Sequence, residues 1–323
     1  MAPVIETFNL SKTYVRDVLG VEYGRLRFRL RNRRVDALKD LNLKVEGGEI
    51  FGLLGPNGAG KTTAIKILMG IHFATRGSAQ IMGKPLGDKE VKSQIGFLPE
   101  NPYFYDYLLG WEFLDYYGQL YGMPKQARRK RMTELLEQVG LSDAANLPLK
   151  GYSKGMLQRI GLAQCLLNDP KVVFLDEPQS GLDPIGRKEV RDLILQLKER
   201  GKTVFFSSHI LTDAEMICDR VGIIYKGELT KLGRLDELLS AKIKETEVVM
   251  SGLKKETVER YSSLARKVLR GENGSLFVFD KQETASSLVR DGIGEGASLV
   301  SLTPRKESLE EYFIRSVKGG NAS

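Results

Sequence analysis

Nine residues, Gly55 to Thr63 (GPNGAGKTT), carry the most specific chemistry in this chain. They match G-x-x-x-x-G-K-[ST], a spacing in which glycines let the backbone turn tightly and aim its N–H groups at anionic oxygens. Gly55, Pro56, Asn57, Gly58, Ala59 and Gly60 would form the cradle and Lys61 would reach the terminal phosphates. Thr62 and Thr63 open the following helix, and Thr62 is placed to ligate Mg2+. A second cluster ends the run KVVFLDEP, Lys171 to Pro178, where two carboxylates follow an apolar strand. Successive strand side chains point opposite ways, so Asp176 and Glu177 are expected to act separately. Asp176 is assigned to the magnesium shell and Glu177 to polarising a water that attacks a γ-phosphate. A third, SSH at Ser207 to His209, closes the run TVFFSS and holds one of the chain's two histidines. The other, His72, has no motif around it and reads as an ordinary structural histidine.

These groups need elements to hold them. Glu49 to Leu54 (EIFGLL) reads as a buried strand and Lys61 to Met69 as a helix stopped by Gly70, the strand–loop–helix order that gives the glycine run its mechanism. The continuous apolar runs before Asp176 and through TVFFSS suit central parallel strands whose carboxyl ends are the active ends. Between them lies Gly151 to Pro170, with Ser153 a natural N-cap, so that this helix has its N-terminus free to meet an anion.

The chain as a whole, 323 residues with 41% apolar content, can bury a real core and is expected to form two domains. No window approaches the ~18 apolar residues of a membrane span, and the N-terminus lacks a signal-peptide layout, so a soluble intracellular chain is expected. Cys165 and Cys218 are expected to be buried, reduced thiols with no metal role. Formal net charge is +8, concentrated in residues 15–34, where seven arginines stand against Asp17 and Glu22.

Over residues 4 to about 240 the sequence resembles the ATP-binding subunits of ABC transporters. Six parts carry the resemblance in order. They are Tyr14 before the phosphate loop, the loop itself, IGFLPE (Ile95 to Glu100) at the Q-loop position, YSKGM (Tyr152 to Met156) at the signature position, VVFLDEP with SGLD (Ser180 to Asp183), and SSH. The resemblance implies an α/β fold: a P-loop ABC ATPase core with a helical subdomain (about 101–168) and an antiparallel β-subdomain. It implies ATP and Mg2+ as cofactors and ATP hydrolysis coupled to transmembrane transport, with Lys61, Glu177 and His209 as catalytic residues. It also implies a head-to-tail dimer in which Ser153 and Gly155 of one subunit meet the γ-phosphate held by the other. Tyr14 would then stack on adenine, Asp183 would sit at the dimer interface, and His209 would sense the γ-phosphate. The implied partners are integral membrane permease subunits, which places the chain on the cytoplasmic face of the plasma membrane.

Two positions depart from the commonest pattern. Lys154 and Met156 replace Gly and Gln of the signature, adding positive charge near the ligand, while Ser153 and Gly155 remain. Glu100 stands where Gln is usual; a carboxylate can still ligate Mg2+ or hold water, but it brings negative charge beside the phosphates. Both variants resemble ATPases that serve exporters of antibiotics, lipids or polysaccharides.

Outside the motifs, residues 103 to 150 show helical spacing and dense aromatics, with a basic helix ending near Gly140; the resemblance makes this the subdomain whose groove receives a helix of the permease. From about Glu245 to Val317 short strands and helices alternate, and residues 241–323 read as a small C-terminal α+β domain: EVVMSG, a helix to Arg270, SLFVFD, a helix over Gln282 to Arg290, SLVSLT, and the final helix SLEEYFIRSV. The segment RLRFRLRNRR, Arg25 to Arg34, alternates arginine with Leu26, Phe28 and Leu30, and reads as an extended hairpin insertion over residues 15–35. Its arginines suit anionic lipid headgroups or an acidic partner surface. Nucleic acid is disfavoured, because Phe28 is the one aromatic among them. Two rival functions remain in view: a soluble ABC protein acting on ribosome or nucleic acid, against which stand the single cassette and lack of sustained heptads, and an import ATPase.

Overall fold

The structure, a computed structural model, describes residues 3–16, 20–22, 25–27, 33–239, 243–271 and 274–319. The chain divides into two compact units, Met1–Leu235 and Asp236–Ser323, a boundary five residues ahead of the expected one.

Apolar runs with no polar alternation build the centre of the first unit. IFGLL, VVFLD and TVFFSS form the strands Ile50–Leu54, Val172–Asp176 and Thr203–Ser208, buried along their whole length as parallel strands covered on both faces are. The six-stranded sheet runs in the order Glu228–Arg234, Arg220–Tyr225, Ile50–Leu54, Thr203–Ser208, Val172–Asp176, Ile95–Leu98, parallel except at the Glu228–Arg234 edge. Phe51, Phe205 and Phe174 line up across three of its strands, with ring centroids 5.3 and 5.6 Å apart. Register sets the functional geometry: Ser208 lies opposite Leu54 and Ser207 opposite Asp176, so three carboxyl ends finish side by side.

A separate antiparallel sheet, ordered Arg33–Val45, Ile5–Arg16, Arg76–Ile81, Lys84–Pro85, supplies the expected β-subdomain. Its first two strands stay paired as far as Arg16 opposite Arg33, and Gly20–Glu22 pairs with Arg25–Arg27. Both pairings fall in or beside residues 15–35, where the hairpin insertion was expected. The alternation expected through Phe28, Arg29, Leu30 and Arg31 falls outside the described residues.

The helical subdomain contains Gly110–Leu120, Lys125–Gln138 and Lys154–Cys165. Helical spacing expected from residue 103 is corrected here, because the helix starts at Gly110. The Glu112 carboxylate caps that start by accepting from Leu109 N at 3.0 Å. Both cysteines are buried and free. Among the described residues no helix is long and apolar enough to cross a membrane.

The second unit is α+β, as expected, with one correction. The helix expected to reach Arg270 ends at Ser262, and Lys267–Gly271 is a strand paired with Gly274–Phe279. With it the order becomes strand, helix, strand, strand, helix, strand, and the antiparallel sheet runs Lys267–Gly271, Gly274–Phe279, Ile243–Ser251, Ser298–Lys306, a ferredoxin-like split βαβ. Val248, Met250, Tyr261, Phe277, Phe279 and Leu288 form its core. The helix Leu309–Gly319 follows the last strand.

Candidate active site

The glycine run occupies the carboxyl end of Ile50–Leu54, where Gly55 N donates to Ser208 O at 3.2 Å. Glycine is obligatory at two points. A Cβ on Gly55 would lie 2.2 Å from Ile224 O, and one on Gly60, at φ 111°, would lie 2.3 Å from Ala37 O. The helix Lys61–Leu68 then begins directly after the turn.

Lys61 is buried, and its ammonium is held from three sides. It donates to Gly55 O at 2.8 Å and Pro56 O at 3.1 Å, and it pairs with Glu177 Oε1 at 3.0 Å. The second oxygen of Glu177, Oε2, lies 2.7 Å from His209 Nδ1 and 3.3 Å from His209 N. Glu177 is itself buried and sits at φ 50°, a left-handed backbone uncommon for a residue with a Cβ, which turns its side chain away from that of Asp176. Asp176 faces Thr62, whose Oγ1 donates to Asp176 Oδ1 at 3.1 Å, and Ser207 Oγ donates to the same oxygen at 2.6 Å. Ser207 also accepts from Glu177 N at 2.9 Å, so one hydroxyl fixes both acidic residues. Burial raises the Asp176 carboxyl above its usual range. The Ser207 and Thr62 hydrogen bonds oppose that rise, and the charge of Glu177 adds to it.

A cleft of about 290 Å³ opens over these groups, lined by Asn57, Gly58, Lys61, Thr62, Glu100 and Glu177 among others. Hard oxygens that fit Mg2+ are at hand: the Thr62 hydroxyl and Glu100 carboxylate line the cleft, and the Asp176 carboxylate, which does not line it, is hydrogen-bonded to Thr62. Among the described residues no cluster of three or more His, Cys, Asp or Glu could cage a metal unaided. Mg2+ characteristically takes one or two protein carboxylates and completes its shell with water and phosphate.

The remaining expected residues lie elsewhere. Tyr14 is not among the cleft's lining residues; its hydroxyl meets His72 Nδ1 at 2.8 Å. Ser153 caps the helix Lys154–Cys165, accepting from Met156 N at 3.2 Å, and Ser153 and Lys154 are exposed. Asp183 caps the helix Pro184–Glu199, accepting from Gly186 N at 2.7 Å. Within one chain Ser153, Gly155 and Asp183 do not line the phosphate cleft. Sequence reasoning noted Ser207 as part of SSH without giving it a role; its position one residue past the apolar core of TVFFS was the available signal. Ala37, which lines the cleft and crowds Gly60, had none.

Comparison with known proteins agrees with this geometry. The family model described as ABC transporter matches residues 38–180. An ABC transporter ATP-binding protein of Synechocystis is 46% identical over 98% of this chain and 85% of its own length. The bacitracin transport ATP-binding protein BcrA of Enterococcus faecalis is 32% identical over 99% of this chain and 98% of its own. Among solved structures, a dimeric ATP-binding cassette in a post-hydrolysis state with ADP and Pi is 26% identical, with a TM-score of 0.61 over 72% of this chain and 98% of that one. Strand ends, phosphate loop and these likenesses lead to one assignment: the chain belongs to the ABC transporter ATP-binding proteins and is an ATPase.

Proposed function

We propose that this chain energises export through separate membrane permease subunits, hydrolysing ATP as one half of a head-to-tail pair at the cytoplasmic face of the membrane. The observation that carries the chemistry is the Lys61–Glu177–His209 cluster set beside Thr62–Asp176.

The loop N–H groups of Gly58 to Thr63 and the helix behind them bind the β- and γ-phosphates, and Lys61 exchanges its loop carbonyls for phosphate oxygens. Thr62, Asp176 and Glu100 would hold Mg2+, which would offset the negative charge of the phosphates. Glu177 accepts the proton of the attacking water. His209, already on Glu177 Oε2, fixes that carboxylate and lies where it can sense the γ-phosphate. Tyr14 stacks on adenine. Ser153 and Gly155 from a second chain complete the electrostatic shell around the transferring group, and Asp183 lies at that interface.

Export rather than import is supported by full-length likeness to the bacitracin transport protein and by a 32% identical linearmycin resistance ATP-binding protein of Bacillus subtilis. Permease docking is supported by an apolar groove of about 520 Å³ whose walls include Phe97, Pro102, Tyr103, Phe113, Tyr117 and Tyr121, aromatic side chains that give contact area at low entropic cost. The Arg25–Arg34 arm is assigned to anionic lipid headgroups. Flotation with liposomes containing anionic lipid should recover the wild-type chain but not one with Arg25, Arg27, Arg29 and Arg31 changed to Ser, and equal recovery would remove the assignment.

The deciding experiment captures Glu177→Gln from detergent-solubilised membranes with ATP and Mg2+, followed by mass spectrometry. Recovery of a polytopic membrane protein supports the reading. Recovery of ribosomal or DNA-bound proteins overturns it.

A further inference from the structure

Tyr14 and His72, 58 residues apart in sequence, form a hydrogen bond of 2.8 Å between the phenol and Nδ1. Their rings meet edge to face, with centroids 6.0 Å apart and planes at 75°. Lys12 Nζ sits 5.0 Å from the centroid of the Tyr14 ring and donates to Phe73 O at 2.7 Å, so the cation over the ring is itself tied to the His72 segment. A cation thus lies over the phenol ring and its tip is pinned.

His72 is held in turn by the phosphate-binding helix. After Gly70 ends that helix at φ 69°, Ile71 N and His72 N both donate to Lys66 O, at 2.9 and 3.1 Å. Further along, Thr75 N donates to Ser11 O at 2.8 Å and Thr13 N to Thr75 Oγ1 at 3.0 Å, stitching the same segment to the strand that carries Tyr14. Lys61 and Thr62 open the helix Lys61–Leu68, and its far end, about 12 Å away at 1.5 Å per residue, anchors the group that holds Tyr14.

We propose that His72 is a positioning residue for the nucleotide base: its hydrogen bond fixes the Tyr14 ring in a stacking pose and ties base recognition to the helix that grips the phosphates. The inference rests on the reading that Tyr14 stacks on adenine. A ring already locked in place loses less freedom when a base settles on it, so the gain appears as affinity for the base-bearing ligand alone. Burial, with Lys66 and Lys12 facing it, pushes the His72 imidazole below its ordinary value. This favours the neutral ring, which bonds the phenol as donor or acceptor according to its tautomer.

The test is equilibrium titration of the full chain with ATP and with tripolyphosphate, in Mg2+, for wild type and five variants. His72→Phe should weaken ATP about threefold to tenfold, the loss expected of one neutral hydrogen bond, and leave tripolyphosphate unchanged. In hydrolysis it should raise KM without lowering kcat. His72→Asn, which offers a polar atom near the position of Nδ1, should recover most of the loss. Tyr14→Phe should match His72→Phe, and combining the two should cost no more than either alone. Equal weakening of ATP and tripolyphosphate, or unchanged ATP affinity in His72→Phe, overturns the inference. Tyr14→Ala separates the layers: if it leaves ATP affinity intact, the stacking reading falls and this inference with it. If it weakens ATP while His72→Phe does not, only the role of His72 falls.

Discussion

The phosphate cleft and the segment around Ser153, to which the proposed function gives a phosphate role in a second subunit, are built in opposite ways. In the cleft Lys61, Thr62, Asp176, Glu177, Ser207 and His209 satisfy one another within the chain, and Lys61 and Glu177 are 5% and 6% exposed. At the signature, Ser153 makes one local cap bond and stands exposed beside Lys154. The first region is a finished grip whose partners are all internal. The second is a helix end whose capping serine is exposed. Binding and turnover should therefore separate by mutation.

Lys61→Ala makes the largest break. It removes the cation from the loop and leaves Glu177 buried without its ion partner, a change worth roughly 3–5 kcal/mol. ATP binding, measured by equilibrium dialysis, should disappear. Glu177→Gln should break turnover alone: phosphate release should fall by about 10²–10⁴ while ATP binding persists and a dimer accumulates on gel filtration with ATP. Retained wild-type turnover would show that Glu177 is not the base. Ser153→Ala should sharpen the contrast, lowering kcat about tenfold by loss of a donor to the transferring phosphoryl group. ATP affinity at low protein concentration should be unchanged, and the lost cap should cost only about 1 kcal/mol in thermal unfolding. Phe277→Ala, in the core of the second unit, should destabilise that unit by about 3–5 kcal/mol, seen as a separate low-temperature calorimetric transition. Turnover should stay within about twofold of wild type below that transition.

What could be read in the sequence follows the same division. The strand–loop–helix around Gly55 to Thr63 was legible because its signals are local: an apolar run, glycines where a Cβ would strike Ile224 O or Ala37 O, and a lysine at fixed spacing. Asp176 and Glu177 were expected from strand alternation to face apart, and they do have different partners, but Glu177 lies just past the strand with a left-handed backbone that the sequence did not reveal. The strand Lys267–Gly271 was missed because KVLRG is an edge strand with mostly exposed side chains, so it lacks the buried face that makes a period of two visible. The late helix start at Gly110 was missed because Tyr103 to Leu109 carry apolar groups at helical spacing, and because Leu109 at the N-cap is not a residue type that marks a helix start, although Glu112 three residues on accepts from its N–H. His72 was passed over because its partner is a strand residue 58 positions earlier, a proximity that the antiparallel sheet creates and no local pattern records.

The strand Ser298–Lys306 forms one border of the second unit's sheet and is paired on one side only, against Ile243–Ser251. Borders of this kind, with Leu299, Val300 and Leu302 exposed, are sites where a foreign strand can be recruited and aggregation begins. This one carries its own deterrent. Pro304 has no N–H to offer an incoming ladder, and Arg305 places a charge next to it, so growth of the sheet by copies of itself is blunted in the second half of the strand. Residues with no place in catalysis can still be required, because an unguarded strand border invites copies of the chain to stick together.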